Sequence, residues 1–193
     1  MIRANYPATV SKVASQTFVL LLRGINVGGK NMLPMVVLRD LVESLGGDQV
    51  RTYIQSGNVI FSASATVASK VADHLSKRIA DKCKLQVPVV MRSAIDIARI
   101  ANAAQLGALA EPTESLFVGF CQSVPTRRAV AALDPKRSPG DSFKVIGGEV
   151  YLQLPSGAAR TKLTTAYFDA KLDTVTTFRN WKTVQAIAKL AGE

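Results

Sequence analysis

The sequence predicts an α+β fold of two β-α-β-β-α-β (ferredoxin-like) halves packed together, with a linking helix and a C-terminal helix. Three observations carry this. Apolar patterning alternates between strand-like and helix-like segments in the same order twice. Each round contains a glycine-bearing hairpin signal, Ser56-Gly57 in the first and Gly147-Gly148 in the second. The opening strand, "FVLLL", is apolar on both faces, so its sheet must be covered on both sides. Side-chain identity between the rounds is slight, so the repeat is one of pattern.

The elements follow in order. Residues 1–16 read as a loosely ordered extension without an apolar core, so no secretory signal is expected there. The first half spans 17–92. "TFVLLLRGI" is a buried strand ending in Arg-Gly. Pro34 opens a helix whose stripe is Val37, Leu38, Leu41, Val42 and Leu45, stopped by Gly46-Gly47. "VRTYIQSGNVIFSA" is a hairpin. Val67, Val71, Leu75 and Ile79 recur every four residues along the next helix. "QVPVVMR" is a strand that Pro88 confines to a sheet edge. Residues 93–114 hold a linking helix, Ser93–Gln105, capped by Ser93, and a loop. The second half spans 115–193. It offers the strand "ESLFVGFC", a helix over "TRRAVAAL", the hairpin "FKVIGGEVYLQL", a helix over "TKLTTAYFDAKL", the strand "TVTTF", and a closing helix capped by Asn180.

Composition narrows the function classes. The 193 residues carry a formal charge of +10, which favours anionic partners: an anionic small molecule, nucleic acid or an acidic protein. No apolar run approaches a membrane span of about 18 residues. Cys83 and Cys121 stand in no paired motif, which suggests free thiols in a reducing, cytoplasmic setting. One histidine, His74, leaves no basis for a metal site or a two-imidazole centre, and no cofactor is expected. Glu43, Asp73 and Glu149 read as surface acids, and no carboxylate pair suggests proton-transfer chemistry.

The candidate ligand residues cluster in turns. "LLRGINVGGKNMLP" almost spells a phosphate loop, but Asn31 stands where the metal-holding hydroxyl belongs, and a hairpin sheet is the wrong setting. A weaker anion loop survives: Arg23 at the strand end, backbone amides around Gly24, Asn26, Gly28 and Gly29, and the cation Lys30. Ser56 and Asn58 place hydrogen-bonding groups at the first hairpin turn. Arg160 and Lys162 sit at an expected helix start, where two cations call for an anionic neighbour. Arg179 and Asn180 flank the closing helix, and Trp181 reads as its packing anchor. "LFVGF", with Phe61 and Tyr151, is a faint trace of an RNA-stacking sheet, but the longer basic-Gly-aromatic motif is missing.

Four segments, "LLRGINVGGKNMLPM", "VRTYIQSGNVIF", "YLQLPSGAARTKL" and "TFRNWKTV", resemble signatures of the domain of unknown function 1697 family. The resemblance runs from about Thr17 to the C-terminus. Thr161 and Lys182 stand where that family usually carries Ser and Asn. The resemblance implies a bacterial-type cytoplasmic α+β protein and implies no activity. The residues themselves favour a binder of an anionic, phosphate-bearing ligand or nucleic-acid backbone in a basic cleft between the halves. A phosphoryl- or acyl-transfer enzyme using that cleft, and a module docking an acidic protein, are the alternatives.

Overall fold

The computed structural model describes residues 14–102 and 113–193. The first half holds β1 (Gln16–Leu22), α1 (Met35–Ser44), β2 (Asp48–Tyr53), β3 (Asn58–Ala63), α2 (Ala65–Cys83) and β4 (Val89–Ser93). After it come α3 (Ala94–Ile100) and a 3-10 turn at Thr113–Ser115. The second half holds β5 (Leu116–Cys121), α4 (Arg127–Ala131), β6 (Ser142–Ile146), β7 (Glu149–Gln153), α5 (Thr165–Leu172) and β8 (Thr176–Asn180), followed by α6 (Trp181–Gly192). Each half is a β-α-β-β-α-β unit with its own four-stranded antiparallel sheet. The orders are β2-β3-β1-β4 and β6-β7-β5-β8. The first and third strands of each unit are therefore central. The fourth is an edge, and β4 starts directly after Pro88, which has no N–H to give a ladder.

Period-two alternation splits β1 between two cores. Phe18, Leu20 and Leu22 face α1 and α2, where Leu38, Val42, Val71 and Leu75 receive them. Val19 and Leu21 face the other way, into a core shared by both halves. There Ile60 and Val90 of the first sheet meet Val118, Phe120 and Tyr151 of the second, with Ile97 of α3 and Trp181, Val184 and Ile187 of α6 between them. A third core lies between the second sheet and α5, around Phe168, Leu152 and Leu163. The open face of β1 is thus covered, as its apolar pattern requires, by the other half and by the linking helix. Trp181 is fully buried as the anchor of α6.

Helix boundaries differ from the sequence reading in two places. The linking helix starts as expected, with the Ser93 hydroxyl accepting from the Asp96 amide at 3.1 Å. It ends at Ile100, and Gln105 lies outside the described residues. The helix expected over 161–172 begins only at Thr165, because the Thr164 hydroxyl takes the Tyr167 amide at 3.2 Å. Arg160 and Lys162 are therefore exposed loop cations upstream of the cap, not residues of a first turn. The base-stacking idea also fails. Phe61 and Tyr151 are fully buried, one in each of two cores, so neither is free to stack on a base. No helix among the described residues is long and apolar enough to cross a membrane.

Candidate functional site

The halves are joined by two arginines in matching positions. Arg92 lies on β4 opposite Val19, and Arg179 lies on β8 opposite Val118. Each reaches out of its own sheet to the other half. Arg92 Nη2 donates to the Cys121 carbonyl at the end of β5 at 2.7 Å and to the Gly148 carbonyl at 3.3 Å. Arg179 Nη2 donates to the Leu22 carbonyl at the end of β1 at 2.7 Å, and to the Ser56 and Gly57 carbonyls at 3.1 and 3.5 Å. In both, Nη1 turns back to the preceding residue's carbonyl, Met91 at 2.8 Å or Phe178 at 2.9 Å. The backbone frame matches too, since Leu22 donates to Gly57 and Cys121 to Gly148.

The two arginines differ in what meets Nε. Arg92 Nε donates to a carboxylate, Glu149 Oε1, at 2.9 Å. Glu149 is 2% exposed, so this acid is a buried counter-ion and not the surface group its sequence context suggested. Arg179 Nε donates to an amide oxygen, Asn58 Oδ1, at 2.5 Å. Thr177 Oγ1 accepts from Nη1 at 3.0 Å. Every partner of Arg179 among the described residues is neutral. Burial pushes the guanidinium down to about 10, which still leaves it charged at neutral pH. It is a buried cation with its N–H groups satisfied and its charge uncompensated.

A cleft opens beside each arginine. Beside Arg92 a cavity of about 410 Å³ is lined by Arg92, Asp96, Arg99, Cys121, Gln122 and Glu149, among others. Its two arginines face two carboxylates. The Ser93 hydroxyl, and more weakly Arg99, holds the Asp96 carboxyl below its usual value. Beside Arg179 a cavity of about 460 Å³ is lined by Arg23, Gly24, Ser56, Thr165, Thr177, Arg179, Asn180 and Thr183, with Ile25, Val27, Ile54 and Phe178 as apolar wall. Asn180 caps α6, its oxygen accepting from the Thr183 amide at 2.8 Å, so the first turn of α6 borders this cleft. Thr183 is 7% exposed and its hydroxyl has no hydrogen-bond partner among the described residues. It holds the place that Asp96 holds in the other cleft, three residues past the cap. Thr183 and Asn58 thus stand where the first cleft has acids, and Arg23 stands where it has Gln122.

Of the twelve residues the sequence nominated, this cleft gathers Arg23, Gly24, Ser56, Arg179 and Asn180, with Asn58 behind Arg179. Arg23 also crosses the halves, its Nη1 lying 2.5 Å from Asp169 of α5. Asp169 is held by the Thr176 amide and hydroxyl, both at 2.8 Å. Both partners are partly exposed, so the pair contributes about 1 kcal/mol at most. The rest of the opening loop serves itself. The Lys30 amide bonds to the Val27 carbonyl at 3.0 Å around Gly28 (φ +57°) and Gly29 (φ +73°), a mirror-type turn that requires positive φ at both positions. Asn26 ties the loop to Leu33 and Gln55. Gly28, Gly29 and Lys30 form an exposed tip that does not line the cleft, and Asn26 is a structural clamp. Arg160 and Lys162 lie outside the cleft, and the Lys162 carbonyl accepts from Arg137 instead.

The family model "Protein of unknown function (DUF1697)" matches residues 15–151. The chain belongs to this family. The DUF1697 match contains the opening loop and the Ser56–Asn58 turn, while Arg160, Lys162, Arg179 and Asn180 lie beyond it. Among solved structures, the chain is similar to the conserved bacterial protein SP0830 from Streptococcus pneumoniae. They share 23% identity over 92% of this chain and 99% of that one, with a TM-score of 0.61. That likeness speaks to the fold. No curated protein matches the chain in sequence.

Sequence reasoning missed Thr183, Asp169 and Thr177 in this DUF1697 protein. Their threonines and lone acid belong to no motif. The available signal was the register of the two rounds, which sets Gly57-Asn58 against Gly148-Glu149. The Cys121 thiol is poorly placed for nucleophilic work. Burial pushes Cys121 up to about 11, leaving about one molecule in ten thousand as thiolate at neutral pH. Iodoacetamide is expected to alkylate the half-buried Cys83 of the native protein, and Cys121 only after denaturant is added. Mass spectrometry of the two peptides checks this, and equal labelling in the native state would contradict it.

Proposed function

We propose that this DUF1697 protein binds a small phosphate-bearing anion in the Arg179 cleft. The observation that supports it most is the comparison inside the molecule. Two matching arginines sit beside matching clefts, and among the described residues Arg92 has a carboxylate on its guanidinium while Arg179 meets only neutral groups. An anion in the other cleft would supply the missing charge, close to the first turn of α6, where backbone dipoles favour it. The Thr183 hydroxyl offers it a donor, as does the Ser56 hydroxyl, whose oxygen accepts from Asn58 at 2.8 Å. The concave, 460 Å³ form suits a small ligand more than a nucleic-acid backbone. The two free thiols support a cytoplasmic setting.

A thermal-shift series with inorganic phosphate, pyrophosphate and nucleoside phosphates at two salt concentrations tests this. Ligand bound to the native state raises Tm by mass action. The variant Thr183→Asp rebuilds the acid of the Arg92 cleft. An acid in the first turn of α6 favours the helix, so the protein should fold while its phosphate-dependent shift disappears. No shift of the wild-type protein with any of these anions at low salt would remove the reading. A shift that survives in Thr183→Asp would place the anion elsewhere.

A further inference from the structure

The Arg179 cleft does not end at its polar wall. A second cavity of about 220 Å³ lies beyond it and shares Thr165 and Phe178 with it. Its walls are Phe117, Leu152, Leu154 and Leu163. Two further threonines border it, and both have their hydroxyls engaged. Thr161 Oγ1 accepts from the Leu163 amide at 3.0 Å, and Thr164 Oγ1 caps α5. What this cavity offers a ligand is therefore mostly carbon. Phe178 is the partition. Its ring lies over Gly119, where a Cβ would come within 2.4 Å of it, so the missing side chain on β5 sets the ring's position.

We infer that the ligand is a phosphomonoester carrying a compact apolar group, with its phosphate beside Arg179 and its apolar group across Phe178 in the second cavity. This rests on the anion reading above and deepens it. The donors that line the head are the Ser56 and Thr183 hydroxyls and the Arg23 guanidinium. That arrangement fits the three terminal oxygens of a phosphomonoester better than the two of a carboxylate. The fourth oxygen then bears the ester. A cavity of about 150 Å³ holds a benzene ring, so the second cavity has room for a phenyl-sized group. The two ends recognise different chemistry, and only a ligand with both fills both.

Calorimetric titrations at one low salt concentration with inorganic phosphate, glycerol phosphate, phenyl phosphate and benzyl alcohol test this. Phenyl phosphate is expected to bind about tenfold or more tighter than glycerol phosphate. In methyl NMR of the wild-type protein it should shift Leu152, Leu154 and Leu163 as well as Thr183, whereas inorganic phosphate should shift Thr183 without the leucines. Ala158→Trp, which sets an indole at the rim of the apolar cavity, should erase the phenyl advantage and leave phosphate binding unchanged. Equal affinities for phenyl and glycerol phosphate would overturn the inference while leaving the anion reading intact. So would a phenyl advantage that survives Ala158→Trp or leaves the leucine methyls unmoved. Binding of benzyl alcohol without any phosphate compound, or no binding at all, would overturn both.

Discussion

Replacing Arg179 by methionine should destabilise the protein by about 3–5 kcal/mol, a large fraction of the stability of an ordinary domain. The side chain joins the end of β1, the Ser56–Asn58 turn and β8 through six hydrogen bonds, and its loss leaves their acceptors facing methylene groups. Each orphaned buried acceptor costs about 1–3 kcal/mol, and the sum is reduced because a desolvated charge is also removed. Arg179→Lys keeps the charge without the planar fork, and should recover less than half of the loss. Urea unfolding with an unchanged m-value is the measurement. A loss below about 1 kcal/mol would mean that the shared core alone holds the halves together.

Gly57→Ala should cost about 2–4 kcal/mol, read as a fall in Tm of about 5–15 °C. The residue has φ +75°, and a Cβ there would stand 2.6 Å from Leu22 Cβ and 2.9 Å from Ile25 Cδ1. Either the turn or the end of β1 must move. Both carry acceptors of Arg179, and the Gly57 carbonyl also receives the Leu22 amide at 2.8 Å. Gly28→Ala provides the control. It has a similar φ, +57°, with nothing within 4 Å of the new Cβ, so it should lose only the backbone part, about 1 kcal/mol. Equal losses at the two positions would show that the close approach to Leu22 carries no weight.

The fold was legible because its signals are local. The stripes of α1 and α2, the hairpin glycines, the caps Ser93 and Asn180 and the edge placement forced by Pro88 are all properties of a few neighbouring residues. Arg23, Ser56 and Arg179 were legible as polar groups in turns. Their partners were not, since Arg23 meets Asp169 across 146 positions and Arg179 meets Leu22 across 157. Glu149 illustrates the failure best. A single acid after two glycines looks solvated until the other half delivers Arg92 to it. The start of α5 was misplaced because three nearby threonines, Thr161, Thr164 and Thr165, each qualify as a cap, and only the fold chooses Thr164.

The reciprocal arginines also bear on how the chain reaches this structure. Each sheet can assemble largely from contacts within its own stretch of sequence, whereas Arg179 finds Leu22, Ser56 and Asn58 only by closing loops of more than a hundred residues. Loops of that length are slow to close and return nothing until they do. The guanidinium must also shed its hydration shell on entry. Docking of the two sheets is therefore expected to be the late, slow step, with the arginines as a register check. Sheets that meet out of alignment strand two charges away from both water and their acceptors, so misdocked forms dissolve and try again.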